Sequence, residues 1–340
     1  MKHINIPIFI PHLGCPNQCI FCNQKSISGV QAFSEDGIDE QINAVLSSVD
    51  ENTECEIAFF GGSFTGIDRD LMIRLLDKAQ QYVDCGKVSS IRMSTRPDYI
   101  NSEIVEILKN YKISFVELGI QTMNDSVLSL LKRGHTVSDT VLASKLLKDN
   151  GINFVGQMMV GLPGATAEDE IYCAEMICKL GASASRIYPT LVFKNTELEN
   201  MLFTKDYIPL SLEEAVERSA NVLEIFIKNN VNCIRIGLCD SDNLHSSETY
   251  LAGPNSPSIG EMVKSRLIYK QICSQIDKNT VYDCLTICCP LGKRSQVIGH
   301  KRENMLNLKK HFKINEILVL EKENINNLEI KIKEGGKPCV

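Results

Sequence analysis

No apolar run in this chain approaches the length of about 20 residues that a membrane-spanning helix needs, and the N-terminus lacks the apolar core of a signal peptide. No membrane partner is expected. Charge of one sign is also lacking: 36 Lys and Arg stand against 42 Asp and Glu, and a net charge of −6 gives no general nucleic-acid signal. Cysteine, by contrast, is plentiful. Fourteen of them without a secretion signal point to a reducing cytoplasm, where thiols bind metals, take part in catalysis or lie buried, and do not pair. With 340 residues, 44% hydrophobic and 23% charged, the chain is expected to build one large α/β domain and a small appendage.

The even charge balance conceals an asymmetry. From Lys293 to the C-terminus 11 basic residues face 6 acidic ones, so this tail carries +5 and the rest of the chain −11. A basic tail on an acidic body is either a partner surface or a solvated face.

Short strand-like runs alternate with helical apolar spacing. Strands are expected at 4–10, 54–60, 90–94, 113–119, 153–160 and 184–188. Helices are expected at 68–83, where Leu71, Leu75, Leu76 and Ala79 repeat, and at 102–110, 125–132, 138–150 and 167–180. This alternation predicts βαβ units and a parallel sheet. Counted from the first strand there are about six units, which suits an incomplete relative of the eight-fold barrel, with chemistry on the loops after the strands' C-terminal ends. Beyond Tyr188 the pattern changes to a helix at 212–228, a strand-like run at 233–238, a long polar loop at 240–257 and a helix at 259–275. The core with its extension is set at 1–291 and a basic appendage at 292–340.

The residues richest in chemistry are Cys15, Cys19 and Cys22, spaced C-x3-C-x2-C with Phe21 before the third. Three thiolates on one short loop can hold three irons of a cubane [4Fe–4S] cluster and leave the fourth iron open, as a binding position and not a staple. The alternative is a zinc knuckle, but zinc wants four ligands and only a stray His12 lies nearby. Downstream, Gly61-Gly62-Ser63 follows the second strand. Then come Ser94-Thr95-Arg96-Pro97-Asp98, Glu117-Leu118-Gly119-Ile120-Gln121, Lys132-Arg133-Gly134-His135, Gly161-Leu162-Pro163-Gly164 and Arg186-Ile187-Tyr188-Pro189.

The cysteine spacing is the signature of radical S-adenosylmethionine (SAM) enzymes. Its combination with the later segments resembles the radical SAM domain of the Elongator catalytic subunit, which modifies the tRNA wobble uridine. It resembles oxygen-independent coproporphyrinogen oxidase more distantly. The resemblance spans 5–196 and implies a partial (β/α)6 barrel of the TIM-like, radical SAM type, a [4Fe–4S] cluster and SAM. It further implies that Gly61, Gly62 and Ser63 offer backbone to the SAM amino group, Gln121 binds the ribose and Arg133 the carboxylate, while Gly161, Leu162 and Pro163 meet the adenine. Phe21 belongs to the same cofactor set. One departure is Ser94, where relatives commonly carry Glu; a hydroxyl does not replace a carboxylate's charge. His135 reads as a structural hydrogen-bonder.

The implied chemistry is reductive cleavage of SAM to methionine and a 5′-deoxyadenosyl radical that abstracts hydrogen, with an electron donor of flavodoxin or ferredoxin type. The substrate is expected to be RNA, with tRNA modification as the family's use of it. A tetrapyrrole or small-molecule radical SAM enzyme stays open, as does a cluster-bearing RNA-binding protein without turnover. No acetyltransferase domain and no basic N-terminal extension are found. Tyr188, Arg235, Asp240 and His245 are candidates for the substrate side, with the loop at 240–257 as a lid. Cys284, Cys288, Cys289 and Cys339 raise an auxiliary cluster, against which stands the adjacency of two of them; Cys173 and Cys178 read as core. Finally Gly299-His300-Lys301-Arg302, ahead of a helix, resembles the G-x-x-G nucleic-acid loop of a KH domain with its last glycine replaced. Lys293, Arg294, Lys301 and Arg302 are the RNA-binding candidates, and apolar stretches at 314–320 and 328–332 would supply two strands. A C-terminal cap with a basic surface explains the same residues.

Overall fold

The computed structural model describes residues 2–50, 52–238, 246–325 and 328–333. It divides into two compact units, Met1–Ala215 with Ile225–Asn255, and Val216–Glu224 with Ser256–Val340.

The first unit is built on one curled sheet. Its strands are β1 (Lys2–Phe9), β2 (Thr53–Phe60), β3 (Ser90–Thr95), β4 (Ile113–Gln121), β5 (Phe154–Val160) and β6 (Ala184–Pro189). A short β7 (Val192–Phe193) lies apart, and β8 (Asn232–Ile236) returns to the sheet. The order is β1-β2-β3-β4-β5-β6-β8 with every pair parallel, so the half-barrel has a seventh strand beyond the six expected. Within the polar stretch expected as a loop, β9 (Tyr250–Ala252) pairs antiparallel with β7. Asp240 and His245 lie outside the described residues.

Helices return the chain between strands: α1 (Gln24–Ser28), α2 (Ile38–Ser47), α3 (Arg69–Asp84), α4 (Ser102–Leu108), α5 (Asp125–Leu130), α6 (Val137–Asp149), α7 (Ala167–Leu180), α8 (Glu197–Thr204) and α9 (Leu212–Lys228). Their starts are set locally. Thr136 with Asp139, Thr166 with Asp169, and Ser211 with Glu214 form reciprocal caps that satisfy amides a helix leaves open at its first turn. α3 buries Leu75, Leu76 and Ala79 of the expected stripe, but Met72 in place of Leu71, which is only half-buried. Cys173 is buried in α7 and Cys178 is half-buried.

Strand residues alternate between apolar and polar. Ile57, Phe59, Ile91, Met93, Val116 and Leu118 are buried, and between them Glu56, Arg92 and Glu117 are buried as well. The charged positions form one network. Arg92 meets Glu56 at 3.1 Å and Glu117 at 3.5 Å, and Arg186 meets Glu117 at 2.7 Å. Buried charge is tolerable only when so paired. Burial still pushes the Glu117 carboxyl above its ordinary value, with Arg186 and Arg92 pulling the other way.

In the second unit a strand that the sequence reading did not anticipate, β10 (Val281–Pro290), is central. β11 (Lys313–Lys322) pairs with it in parallel and β12 (Glu329–Lys333) antiparallel, at the two expected stretches. Cys288 and Cys289 are consecutive on β10 and so point to opposite faces, which prevents both from ligating one cluster. Cys289 joins a core with Leu285, Ile287, Val297, Leu308 and Phe312. Cys339 lies outside the described residues.

Candidate active site

The cysteine loop leaves β1 and folds over the end of β2. Ile10 N–H donates to Phe60 O at 2.7 Å, His12 N–H to Gly61 O at 2.9 Å, and Ser63 N–H to Leu13 O at 2.9 Å. This fit needs glycine. A Cβ on Gly62 would lie 2.4 Å from Leu13 O and 2.6 Å from Ile10 O, and one on Gly14 would lie 2.2 Å from Ser63 O. The glycines after β2 thus admit the cysteine loop, a task beyond the ligand approach expected of them.

His12 is held by the loop itself: its Nε2 accepts from Gln24 N–H at 3.0 Å, and burial, with Lys25 adding to it, lowers its pKa. The three thiols are near enough to influence each other. Burial, and then Cys19, push the Cys22 thiol up to about 12, with Cys15 acting the same way. Three thiolates therefore need a cation between them, which iron supplies. Among the described residues no three His, Cys, Asp or Glu surround one point as ligands of a single ion. Beside the loop lies a cavity of 610 Å³ lined by His12, Cys15, Asn17, Cys22, Lys25 and Asn195, among others.

Ile20 ties the loop to the barrel through Leu131 (3.2 Å) and Leu198 (2.8 Å). Phe21 packs on the apolar group of Ile20, Val127, Leu131 and Leu162. The turn after α5 then delivers Arg133, only 7% exposed. Its Nη1 donates to Cys19 Sγ at 3.3 Å and its Nη2 to Gly119 O at 2.7 Å, while Nε is buried without a partner. A planar guanidinium with one donor unspent suits a carboxylate.

Gln121 comes in on a β-bulge. The β4–β5 register shifts between Gly119 and Gln121, Gln121 takes φ +66°, and its side chain accepts from Gln157 Nε2 at 3.3 Å. A Cβ on Gly119 would approach Gln121 Nε2 to 3.0 Å and Arg133 Nη2 to 3.1 Å, so that glycine clears room for both. Ser94 lies opposite Glu117 in the β3–β4 register, which puts a buried carboxylate one strand away from the departure at 94.

The Gly161–Gly164 backbone is partly spent. Gly161 N–H donates to Glu170 Oε1 at 2.6 Å and Gly161 O accepts from Tyr207 at 2.7 Å, which leaves Leu162 and Pro163, both buried, as the part that can meet a ligand. Tyr188 accepts from Arg186 Nη1 at 2.9 Å, and Arg235 is exposed on β8 in register with Arg186.

Two residues escaped the sequence reading. Gln157 follows no motif and is found only through its contact with Gln121. Arg96 was in view within its motif but carried no role. It is 3% exposed, grips Asp98 with two bonds of 2.9 and 2.7 Å, and keeps Nη1 buried and unpartnered. His135 is buried beside both arginines. Burial first, then their charge, lowers its pKa to about 3, so it is neutral.

The sequence matches the family described as the Radical SAM superfamily over residues 9–176 and the Radical_SAM C-terminal domain over 182–269; together these take in most of the chain. An uncharacterised protein of Methanocaldococcus jannaschii is 29% identical over 235 residues, covering 66% of this chain and 72% of that one. The tRNA uridine(34) acetyltransferase of the same organism is 31% identical over 182 residues, and the match spans 48% of this chain but only 34% of the relative. Elongator complex protein 3 of Dictyostelium discoideum is 27% identical, over 63% of this chain and 46% of its own length. The solved Elp3 of Methanocaldococcus infernus, lacking residues 1–46, superposes with a TM-score of 0.62 at 22% identity, over 81% of this chain and 63% of that one, a likeness of fold. The chain belongs to the radical SAM superfamily, whose enzymes work with a [4Fe–4S] cluster and S-adenosylmethionine.

Proposed function

We propose that this chain is a cytoplasmic radical SAM enzyme of the Elongator-like branch that acts on RNA, with tRNA as the first substrate to test. Arg133 carries the reading. It is a buried guanidinium bound at once to Cys19 Sγ and to the Gly119 carbonyl, with Nε unspent, so it links a thiol of the cysteine loop to a place for a ligand carboxylate. Cys15, Cys19 and Cys22 would hold the cluster, and Gln121, steadied by Gln157, would bind the ribose. The backbone at Gly61, Gly62 and Ser63 would take the amino group, and Leu162 and Pro163 would flank the adenine. When bound, the cluster would supply one-electron reduction of SAM, the electron coming from a flavodoxin- or ferredoxin-type donor, to give methionine and a 5′-deoxyadenosyl radical. The chain's own residues position the ligand and keep water out: Gln121, Arg133 and Ser63 are all under 9% exposed.

RNA as substrate is supported by relatives named for tRNA uridine(34) acetylation and by the basic tail. Acetyl transfer is not part of the proposal, because the match takes in 34% of that relative's length. The test is anaerobic. The protein is reconstituted with iron and sulfide, reductant and SAM are added, and 5′-deoxyadenosine is quantified with and without bulk tRNA. Product stimulated by tRNA is expected. Product indifferent to tRNA would redirect the substrate to small molecules, and none despite a full cluster would favour a binding protein without turnover.

A further inference from the structure

The stretch 291–313 carries seven Lys and Arg (293, 294, 301, 302, 309, 310 and 313) against a single acid, Glu303. All seven are exposed, and among the described residues none forms an ion pair. Glu303 is engaged elsewhere, by Arg266 at 3.2 Å. A solvated basic face normally intersperses its cations with acids that screen them. Within this stretch there is only Glu303, and the carboxylates that reach it from neighbouring elements, Glu261 on Gln296 and Glu321 on the Gly292 amide, stand at its Lys293 end.

The cations are displayed on a fixed frame. β10 leads into the short helix Arg294–Ile298, the turn 299–302 follows, and the helix Glu303–His311 returns the chain to β11. Asn304, 4% exposed, pins the turn: its Nδ2 reaches Ser265 Oγ at 2.9 Å and Val297 O at 3.1 Å. Ser265 Oγ in turn donates to Gln296 O at 2.8 Å. Lys301 and Arg302 both adopt left-handed backbone, at φ +49° and +65°, a conformation seldom taken by two successive long side chains.

An apolar side chain stands among these charges. Leu306 is 64% exposed, four residues after Arg302 and four before Lys310, so the three share one helix face. Met305 and Leu308 of the same helix point into the core. One exposed leucine is too narrow an apolar face for a membrane-surface helix, which buries a continuous stripe. It is enough for van der Waals contact with one unstacked base whose phosphates lie on the neighbouring cations, since single strands are held along a basic track.

We propose that the turn 299–302 and the helix behind it form a binding site for single-stranded RNA, with phosphates on Lys293, Arg294, Lys301 and Arg302 and a base against Leu306. The site lies wholly in the second unit. It does not depend on the cluster chemistry, so its failure would leave that reading intact.

The test is fluorescence anisotropy with the reconstituted full chain and a labelled single-stranded RNA of about 12 nucleotides. Duplex RNA and vesicles of equal phosphatidylserine and phosphatidylcholine serve as competitors. The single strand should bind most tightly, with affinity falling steeply between about 50 and 200 mM KCl. Lys301→Glu with Arg302→Glu should weaken binding by more than about tenfold and flatten the salt dependence. Leu306→Ser should weaken it several-fold with the salt dependence unchanged. All three positions are exposed, and a melting curve checks that each variant folds. Wild-type affinity in the charge-reversed variant would overturn the proposal. Equal binding of duplex, or preference for vesicles, would assign the patch to general polyanion or membrane contact and overturn it too.

Discussion

Arg133 joins two parts of the chain that lie far apart in sequence: its Nη1 donates to Cys19 Sγ at 3.3 Å while Nη2 is anchored on the carbonyl of Gly119. The geometry of the fork, not the charge alone, is used. Arg133→Lys and Arg133→Ala are therefore both expected to weaken SAM binding at least tenfold, about 1.4 kcal/mol. Equilibrium dialysis on cluster-loaded protein measures this. An unchanged dissociation constant would remove Arg133 from the ligand site.

Replacing Cys15, Cys19 or Cys22 with Ala should each abolish the brown absorbance of the reconstituted protein, because each thiolate is assigned a different iron. Cys288→Ala and Cys289→Ala should leave it unchanged, since those side chains leave opposite faces of β10. Iron and sulfide content per chain reads both results.

Gly62→Ala tests how the loop is seated. The added Cβ would meet Leu13 O at 2.4 Å, so the cost should be about 1–3 kcal/mol and cluster incorporation should fall. Gly86 is the control for position in the chain: a Cβ there meets nothing within 4 Å, and only its left-handed backbone (φ +74°) resists substitution. If Gly62→Ala takes up as much iron as the wild type, the close seating does not govern assembly.

Glu117→Gln should cost about 3–5 kcal/mol, because it leaves Arg92 and Arg186 buried with less counter-charge. Lys109→Ala, which breaks the exposed pair with Glu106, should cost no more than about 1 kcal/mol. Urea unfolding of the two variants separates the cases, and equal losses would mean the network contributes no more than a surface pair.

His135 predicts a pH slope. Its folded pKa of about 3 lies below the ordinary 6.5, so in that window the unfolded chain binds the proton more readily and stability is lost as the pH is lowered. Below pH 6.5 the wild type should lose about 1.4 kcal/mol more per pH unit than His135→Asn, until the folded value is reached. Parallel slopes for the two proteins between pH 6.5 and 5.5 would contradict a buried neutral imidazole.

The cysteine loop, the starts of α6, α7 and α9, and the first six strands were legible because their signals are local. Cysteine spacing and apolar periodicity act within a few residues, and the capping boxes that fix those helix starts in the structure are equally local. Arg133 and Gln121 were reached through resemblance, and the fold then supplied their contacts with Cys19, Gly119 and Gln157.

Other features depended on partners distant in sequence. β10 is bracketed by turn residues at 277–280 and at Gly292, but its run of Cys, Thr and Ile lacks a clear alternation, and it becomes a central strand only when β11 and β12 pair with it. The Gly161 amide and carbonyl are spent on Glu170 and Tyr207, 9 and 46 residues away. The pairing of Glu56, Arg92, Glu117 and Arg186 in the interior has no local signal, since each sits on a different strand. Local sequence therefore determined which elements form and where the thiols sit. The curled sheet alone decided which polar side chains face one another out of water, because pairing across strands is a property of register and closure that no short window contains.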